Sequence, residues 1–237
     1  MKSLVQDYID GVYRDLTGER SGSVADYIPE LAVVDPDSFA ICLATSDGYV
    51  YEAGDSRKKF AIQSISKPFT YALALADRGL AAVATKVDVE PSGEPFNEIS
   101  LDPVTERPRN PMINAGAITS ASLVRGDGVE ERFERIRQFY SRFAGRELTL
   151  DREMFSSEDR TGNRNRAIGY LLREYGILEE DPNTTLGVYF RQCSIEVDCR
   201  DLSLMAATLA DSGVHPVSGD RVLDAGLNER VLSVMTT

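Results

Sequence analysis

Phe60-Ala61-Ile62-Gln63-Ser64-Ile65-Ser66-Lys67-Pro68-Phe69-Thr70 joins a short apolar run to a segment of helical periodicity. Ser64 stands at the junction, and Lys67 follows one helical turn later. Residues three apart on a helix share a face, so this spacing lets the amine reach the hydroxyl. A serine with a lysine base is a layout for acyl transfer. Pro68 supports a helix that starts at or just before Ser64. The first four N–H groups of a helix lack intrahelical partners, so the missing donor costs little there. The positive end of the helix dipole favours negative charge developing on the serine oxygen. The chemistry also makes a demand. At its ordinary pKa near 10.4, only about one lysine in 10³–10⁴ is neutral at pH 7. Burial or a neighbouring cation has to lower that value. A second Ser-Lys spacing, Ser56 to Lys59, lies among charged residues after Gly54-Asp55, opens no helix and reads as a turn.

Working outward, apolar residues from Leu4 to Leu16 recur at helical spacing and predict a first helix. Phe39 to Thr45 and Tyr49 to Ala53, around the turn signal Ser46-Asp47-Gly48, predict a hairpin, and Phe60 to Ile62 a third strand. Helix signals dominate afterwards. They cover Ser64 to Arg78, Asn114 to Val124, Val129 to Phe143, Asp151 to Ser157, Ala167 to Tyr175, Asp181 to Cys193, Leu202 to Leu209, and Leu227 to Met235. Residues 86–113 form a long Pro-rich, turn-rich loop of the kind that often carries function. Val214 to Leu223 reads as a short hairpin. The order predicts an α/β fold: an antiparallel sheet flanked by helices, its strands drawn from both ends of the chain. A helical subdomain is expected at roughly 80–200 of a single domain spanning 1–237.

Composition narrows the function. The 237 residues are 42% hydrophobic and 27% charged, ordinary for a soluble globular protein. A net charge of -12 argues against a nucleic-acid partner, and Arg57-Lys58-Lys59 reads as a solvated turn. No apolar run is long enough to span a membrane, and the Asp-bearing N-terminus does not resemble a signal peptide. Cys42, Cys193 and Cys199 are sparse and unpaired in spacing, which suggests reduced thiols in a cytoplasmic protein. The single histidine, His215, nearly excludes a His-based triad or a multi-His metal site, and it reads as a surface turn residue before Pro216. No metal or other cofactor is expected.

Gln63-Ser64-Ile65-Ser66-Lys67-Pro68 resembles the nucleophile motif of the serine-dependent glutaminases, which share the fold of the serine β-lactamases and penicillin-binding transpeptidases. Further segments carry the resemblance: Ala25 to Pro29, Asn110 to Ile118, Glu158 with Asn165 to Tyr170, Tyr189 to Glu196, and Met205 to Ala210. It covers nearly the whole chain from residue 25. The resemblance implies hydrolysis of L-glutamine to L-glutamate and ammonia by a homo-oligomer, a dimer or tetramer. Ser64 would be the nucleophile, Lys67 its base, and Tyr189 a proton-handling neighbour. Tyr27, Gln63, Ser64, Asn114, Glu158, Asn165 and Tyr189 would contact substrate. Glu158 suits the α-ammonium of glutamine, while Asn and Tyr donors suit its carboxylate. The alternatives are another serine acyl-hydrolase on the same fold, or an inactive fragment that binds glutamine or glutamate.

The glutaminases it resembles continue past the position of Thr237 through a Tyr-containing segment and a Ser-Gly strand. That strand supplies an oxyanion-hole N–H in the family. An incomplete domain, weakly active or inactive, is therefore expected, since one lost oxyanion donor costs about 3–4 kcal/mol.

Overall fold

The computed structural model describes residues 3–236. Helix α1 (Leu4–Leu16) opens with Ser3 as its N-cap, whose hydroxyl accepts from the Val5 N–H at 3.3 Å. It packs on an antiparallel hairpin of β1 (Ala40–Ala44) and β2 (Val50–Gly54), paired in register from Ala40↔Gly54 to Ala44↔Val50. A short helix α2 (Pro29–Ala32) precedes the hairpin.

The expected single sheet is replaced by two small antiparallel ones. Strand β3 (Phe60–Ala61) does not join the hairpin. It pairs with β5 (Ile195–Val197), which also pairs with β4 (Thr149–Leu150). The partner of β3 thus comes from within the helical region rather than from the chain's end. Val214 and Arg221 make a single bridge and extend neither sheet.

Gln63–Ser66 form a 3-10 turn, and helix α3 begins at Lys67 and runs to Arg78. Ser64 therefore lies in the turn that feeds the helix, three residues before α3 begins, rather than at the helix start. Helix α3 is also buried nearly all round: Phe69, Tyr71, Ala72, Leu73, Ala74 and Leu75 have almost no exposure. Each large side chain so buried contributes roughly 1.5–3 kcal/mol. Helices α4 (Leu80–Ala84), α5 (Asn114–Leu123) and α6 (Gly128–Ala144) surround it. Phe69 meets Tyr140 and Phe143 of α6 edge-on, with ring centroids 5.8 and 5.1 Å apart. Asp77 closes the far end of α3, its Oδ2 accepting from Arg135 Nε at 2.9 Å and from the Arg125 N–H at 2.8 Å.

The remaining helices are α7 (Arg152–Thr161), α8 (Asn163–Glu174), α9 (Pro182–Cys193), α10 (Cys199–Ala210) and α11 (Ala225–Met235). Asp151, Asp181 and Asp224 cap α7, α9 and α11 through their carboxylates, and Asp198 with Asp201 makes a capping box on α10. Helices α7 and α8 extend beyond their expected ranges, so Glu158 and Asn165 sit on helices. His215 is buried rather than on the surface. Its Nδ1 accepts from the backbone N–H groups of Val217 and Ser218 at 3.3 and 3.1 Å, so it organises the turn from inside. Ser56 is structural, donating to Glu52 Oε2 at 2.7 Å. Among the described residues no helix is long and apolar enough to cross a membrane, and Cys42, Cys193 and Cys199 are free thiols.

Candidate active site

Ser64 is presented by backbone rather than by hydrogen bonds of its own. It is exposed, and its hydroxyl has no hydrogen-bond partner among the described residues. Gln63 before it holds φ at 49°, the left-handed region that side chains rarely adopt. That kink lifts Ser64 out of the path from β3 into α3. The turn is tied to the small sheet by Ile62, whose N–H donates to the Ile195 carbonyl at 2.9 Å.

Lys67 lies one turn below and is 2% exposed. Its Nζ donates to Asn114 Oδ1 at 2.8 Å and sits 5.0 Å from the centre of the Phe96 ring. The amine's bonded partner is thus Asn114, where the spacing alone suggested Ser64. Burial pushes the ammonium down to about 8.

Asn114 begins α5 because Asn110 organises the turn before it, its Oδ1 accepting from the N–H groups of Met112 and Ile113. Bonded to Lys67 through Oδ1, Asn114 donates through Nδ2 to Asn165 Oδ1 at 3.0 Å. Asn165 therefore turns its own N–H₂ group away from Asn114, free to meet a ligand acceptor.

A cavity of about 280 Å³ gathers these groups. Tyr27, Gln63, Ser64, Asn114, Glu158, Asn165 and Tyr189 all line it, while Lys67 stands behind Asn114 and is not itself on the wall. Glu158 is 7% exposed, and burial raises its pKa. No cationic side chain pairs with it among the described residues. Tyr189 is buried on α9, and burial holds its phenol well above the ordinary value. It stays protonated and can donate. Tyr27 is exposed at the rim, its phenol raised first by burial and then by Glu158.

These residues come from six separate stretches of chain, and the comparisons with known proteins give the assembly its family. Residues 22–237 match the Glutaminase family model. The chain belongs to the glutaminase family. It is 51% identical over 230 residues to Glutaminase 1 of Bradyrhizobium diazoefficiens, covering 97% of this chain but 37% of that protein. A crystal structure of Mglu in its glutamate form superposes with a TM-score of 0.95 at 44% identity, covering 100% of this chain and 55% of that one. A probable glutaminase from Bacillus subtilis complexed with 6-diazo-5-oxo-L-norleucine gives a TM-score of 0.86 at 32% identity, covering 99% and 73%. The chain thus spans little more than a third of its curated relative and about half of the glutamate-form structure.

The glutaminase cleft also includes residues that sequence reasoning passed over: Phe96, Asn97, Gly162, Arg164 and Cys193. Phe96 and Asn97 lie in the 86–113 loop already marked as functional in character, and Phe96 is tied down by the Asn114 N–H at 2.9 Å. Arg164 donates to the Asn97 carbonyl at 2.7 Å and pairs with Glu98 at 2.9 Å, holding that loop at the mouth. Gly162 joins α7 to α8 where a Cβ would lie 2.5 Å from Phe190 Cζ, so no larger residue fits. Only its glycine identity hinted at the junction.

Proposed function

We propose that this chain forms a glutaminase domain that hydrolyses L-glutamine to L-glutamate and ammonia through a Ser64 acyl-enzyme. The observation that carries the reading is one cleft lined by an exposed serine and by a buried carboxylate with no cationic side chain beside it among the described residues, with a buried lysine of lowered pKa bonded behind its Asn114 wall. At a pKa of about 8, roughly one Lys67 amine in ten is neutral at pH 7. That neutral amine takes the Ser64 proton as Oγ attacks the side-chain amide carbon. The tetrahedral intermediate collapses, the C–N bond breaks, and the nitrogen leaves as ammonia carrying the transferred proton. Water then attacks the ester, giving its proton to Lys67, and Ser64 recovers a proton as glutamate departs. The protonated Tyr189 phenol donates to the reacting group or to the leaving nitrogen's surroundings.

Recognition follows from charge. Glu158 meets the substrate α-ammonium, which supplies the cation its buried carboxylate lacks. Asn165, Asn114, Gln63 and Tyr27 offer uncharged donors to the α-carboxylate and amide. An α-amino acid with a side-chain amide fits this set better than an uncharged acyl substrate. Residues 1–237 fall within a single glutaminase domain, with a helical subdomain at roughly 80–200. A cytoplasmic homo-oligomer, dimer or tetramer, fits the family resemblance and is tested by sedimentation.

The decisive experiment measures ammonia release from L-glutamine by the chain and by Ser64→Ala, with mass spectrometry of Ser64 after exposure to 6-diazo-5-oxo-L-norleucine. Turnover that Ser64→Ala abolishes, with adduct on Ser64, supports the reading. Glutamine binding without turnover or adduct would leave a binding module in its place.

A further inference from the structure

Beneath the Ser64 turn lies a polar cluster that the proposed chemistry does not use. Ser66, Thr70, Tyr140 and Gln192 are each 0% exposed. They come from the turn itself, from α3, from α6 and from α9. Tyr140 Oη donates to the Ser66 carbonyl at 2.8 Å and lies 2.5 Å from Thr70 Oγ1. Thr70 Oγ1 is 2.8 Å from Gln192 Oε1, and Gln192 Nε2 is 3.3 Å from Ser66 Oγ. None of the four lines the substrate cavity.

Proton counting decides how the cluster is wired. With Gln192 Oε1 facing Thr70, both hydroxyl protons of Tyr140 and Thr70 are committed, one to Ser66 O and one to Gln192. The close Tyr140–Thr70 contact would then have no proton between its two oxygens. Turning the Gln192 amide over removes the conflict, since its nitrogen and oxygen are distinguished only by their bonding. The Ser66 hydroxyl then donates to Gln192 Oε1, Gln192 Nε2 to Thr70, Thr70 to Tyr140, and Tyr140 to the Ser66 carbonyl. Each contact has one proton, and the circuit starts and ends on Ser66.

We infer that Ser66, Thr70, Tyr140 and Gln192 form a closed, proton-ordered ring that positions the Ser64 turn for acylation. The inference rests on the reading of Ser64 as nucleophile. Apolar side chains in place of Thr70 and Gln192 would fill this space and leave the Tyr140–Ser66 bond intact, so stability alone does not call for a ring. What a satisfied polar network adds is one defined geometry. Ser64 needs that, because its hydroxyl has no hydrogen bond of its own and its left-handed neighbour Gln63 favours other conformations. Tyr140, Thr70 and Gln192 are thus positioning residues, acting through the Ser66 backbone two residues from the nucleophile. Displacing reacting atoms by about 1 Å can cost on the order of 100-fold in rate.

The test uses Tyr140→Phe, which removes one oxygen, and Thr70→Val, which leaves the Tyr140–Ser66 bond in place. The probe is 6-diazo-5-oxo-L-norleucine, with the rate of Ser64 modification followed by mass spectrometry. Tyr140→Phe is expected to lower the saturating rate constant about 10- to 100-fold while the half-saturating concentration stays within about twofold. Thr70→Val is expected to fall less than Tyr140→Phe, and Thr70→Ser to restore the parent rate. Amide hydrogen exchange supplies an arm independent of chemistry: in Tyr140→Phe, exchange at Ile65 to Lys67 accelerates while the β1–β2 hairpin is unchanged. A lowered melting temperature with parent rate constants would mark a purely structural ring and overturn the inference. So would unchanged exchange in the turn. A wild-type chain left unmodified at Ser64, with exchange at Ile65 to Lys67 still accelerated in Tyr140→Phe, would instead defeat the nucleophile reading on which the inference stands.

Discussion

Lys67 gains reactivity and loses stability through the same burial. In the unfolded chain its amine titrates near 10.4, in the fold at about 8. Between those values the unfolded state binds more protons, so stability rises with pH across that window. Below about pH 8 the full penalty is present, at most about 3 kcal/mol. Two outcomes follow. With the neutral amine as the proposed base, the rate of Ser64 modification is expected to rise with pH to a plateau with a midpoint near 8; a flat profile from pH 6.5 to 9.5 would remove Lys67 from that role. The melting temperature of Lys67→Met relative to wild type falls steadily from pH 8 to 10, because only wild type gains stability there. Glu158 has the opposite sign. Burial raises its pKa, so the fold is penalised above the raised value and relieved as the carboxyl protonates on acidification. Glu158→Gln is expected to raise the melting temperature at pH 7. On the proposed recognition it should also weaken L-glutamate binding at least about 30-fold by calorimetry, because the ligand ammonium loses the buried counter-charge of the cleft.

Elements show where close packing leaves no slack. Gly116 on α5 lies against the Asn110 carbonyl, and an added Cβ would stand 1.9 Å from that oxygen. Backbone cannot step aside as a side chain can. Gly116→Ala is therefore expected to destabilise by roughly 1–3 kcal/mol in urea denaturation, and to slow Ser64 modification by shifting Asn114 at the same helix start. Gly11 on α1 meets only the far end of Arg14 at 3.9 Å. Gly11→Ala is expected to stabilise by about 0.5–1 kcal/mol in the same assay. Helix α6, with its apolar stripe, and helix α9, with its Asp181 cap, were legible in the sequence because stripe and cap are local. Strand β5 was not. Ile195-Glu196-Val197 is three residues with no turn signal before it, and only its tertiary partners Phe60 and Leu150 make it a strand. Glu158 and Asn165 looked like loop residues because their helices are polar on the surface and meet at a glycine.

At the scale of the whole molecule, the site was legible only through motifs. Tyr27, Asn114, the Glu158–Asn165 pair and Tyr189 are separated by tens of residues, and no local rule joins them to Ser64. The fold brings every one to the same cavity, yet the role of the 86–113 loop in supplying Phe96 and Asn97 rests on long-range contacts that spacing does not encode. A last property is set by the chain in aggregate. The net charge is -12 at pH 7 and the isoelectric point about 4.7. Most of the ion pairs involve at least one well-exposed partner, as in Arg20–Asp37 and Lys58–Asp35, and such pairs contribute about 0–1 kcal/mol each. Salt screens these attractions and the net repulsion alike. With a twelve-charge excess the repulsion is the larger sum, because it acts between all the unpaired carboxylates at once. The melting temperature is therefore expected to rise between 10 and about 300 mM NaCl at pH 7, and to lose that dependence near pH 4.7, where the excess vanishes. Scanning calorimetry at the two pH values decides it: a melting temperature that falls with salt at pH 7 would mean that the exposed pairs, rather than the net charge, govern the molecule's electrostatic stability.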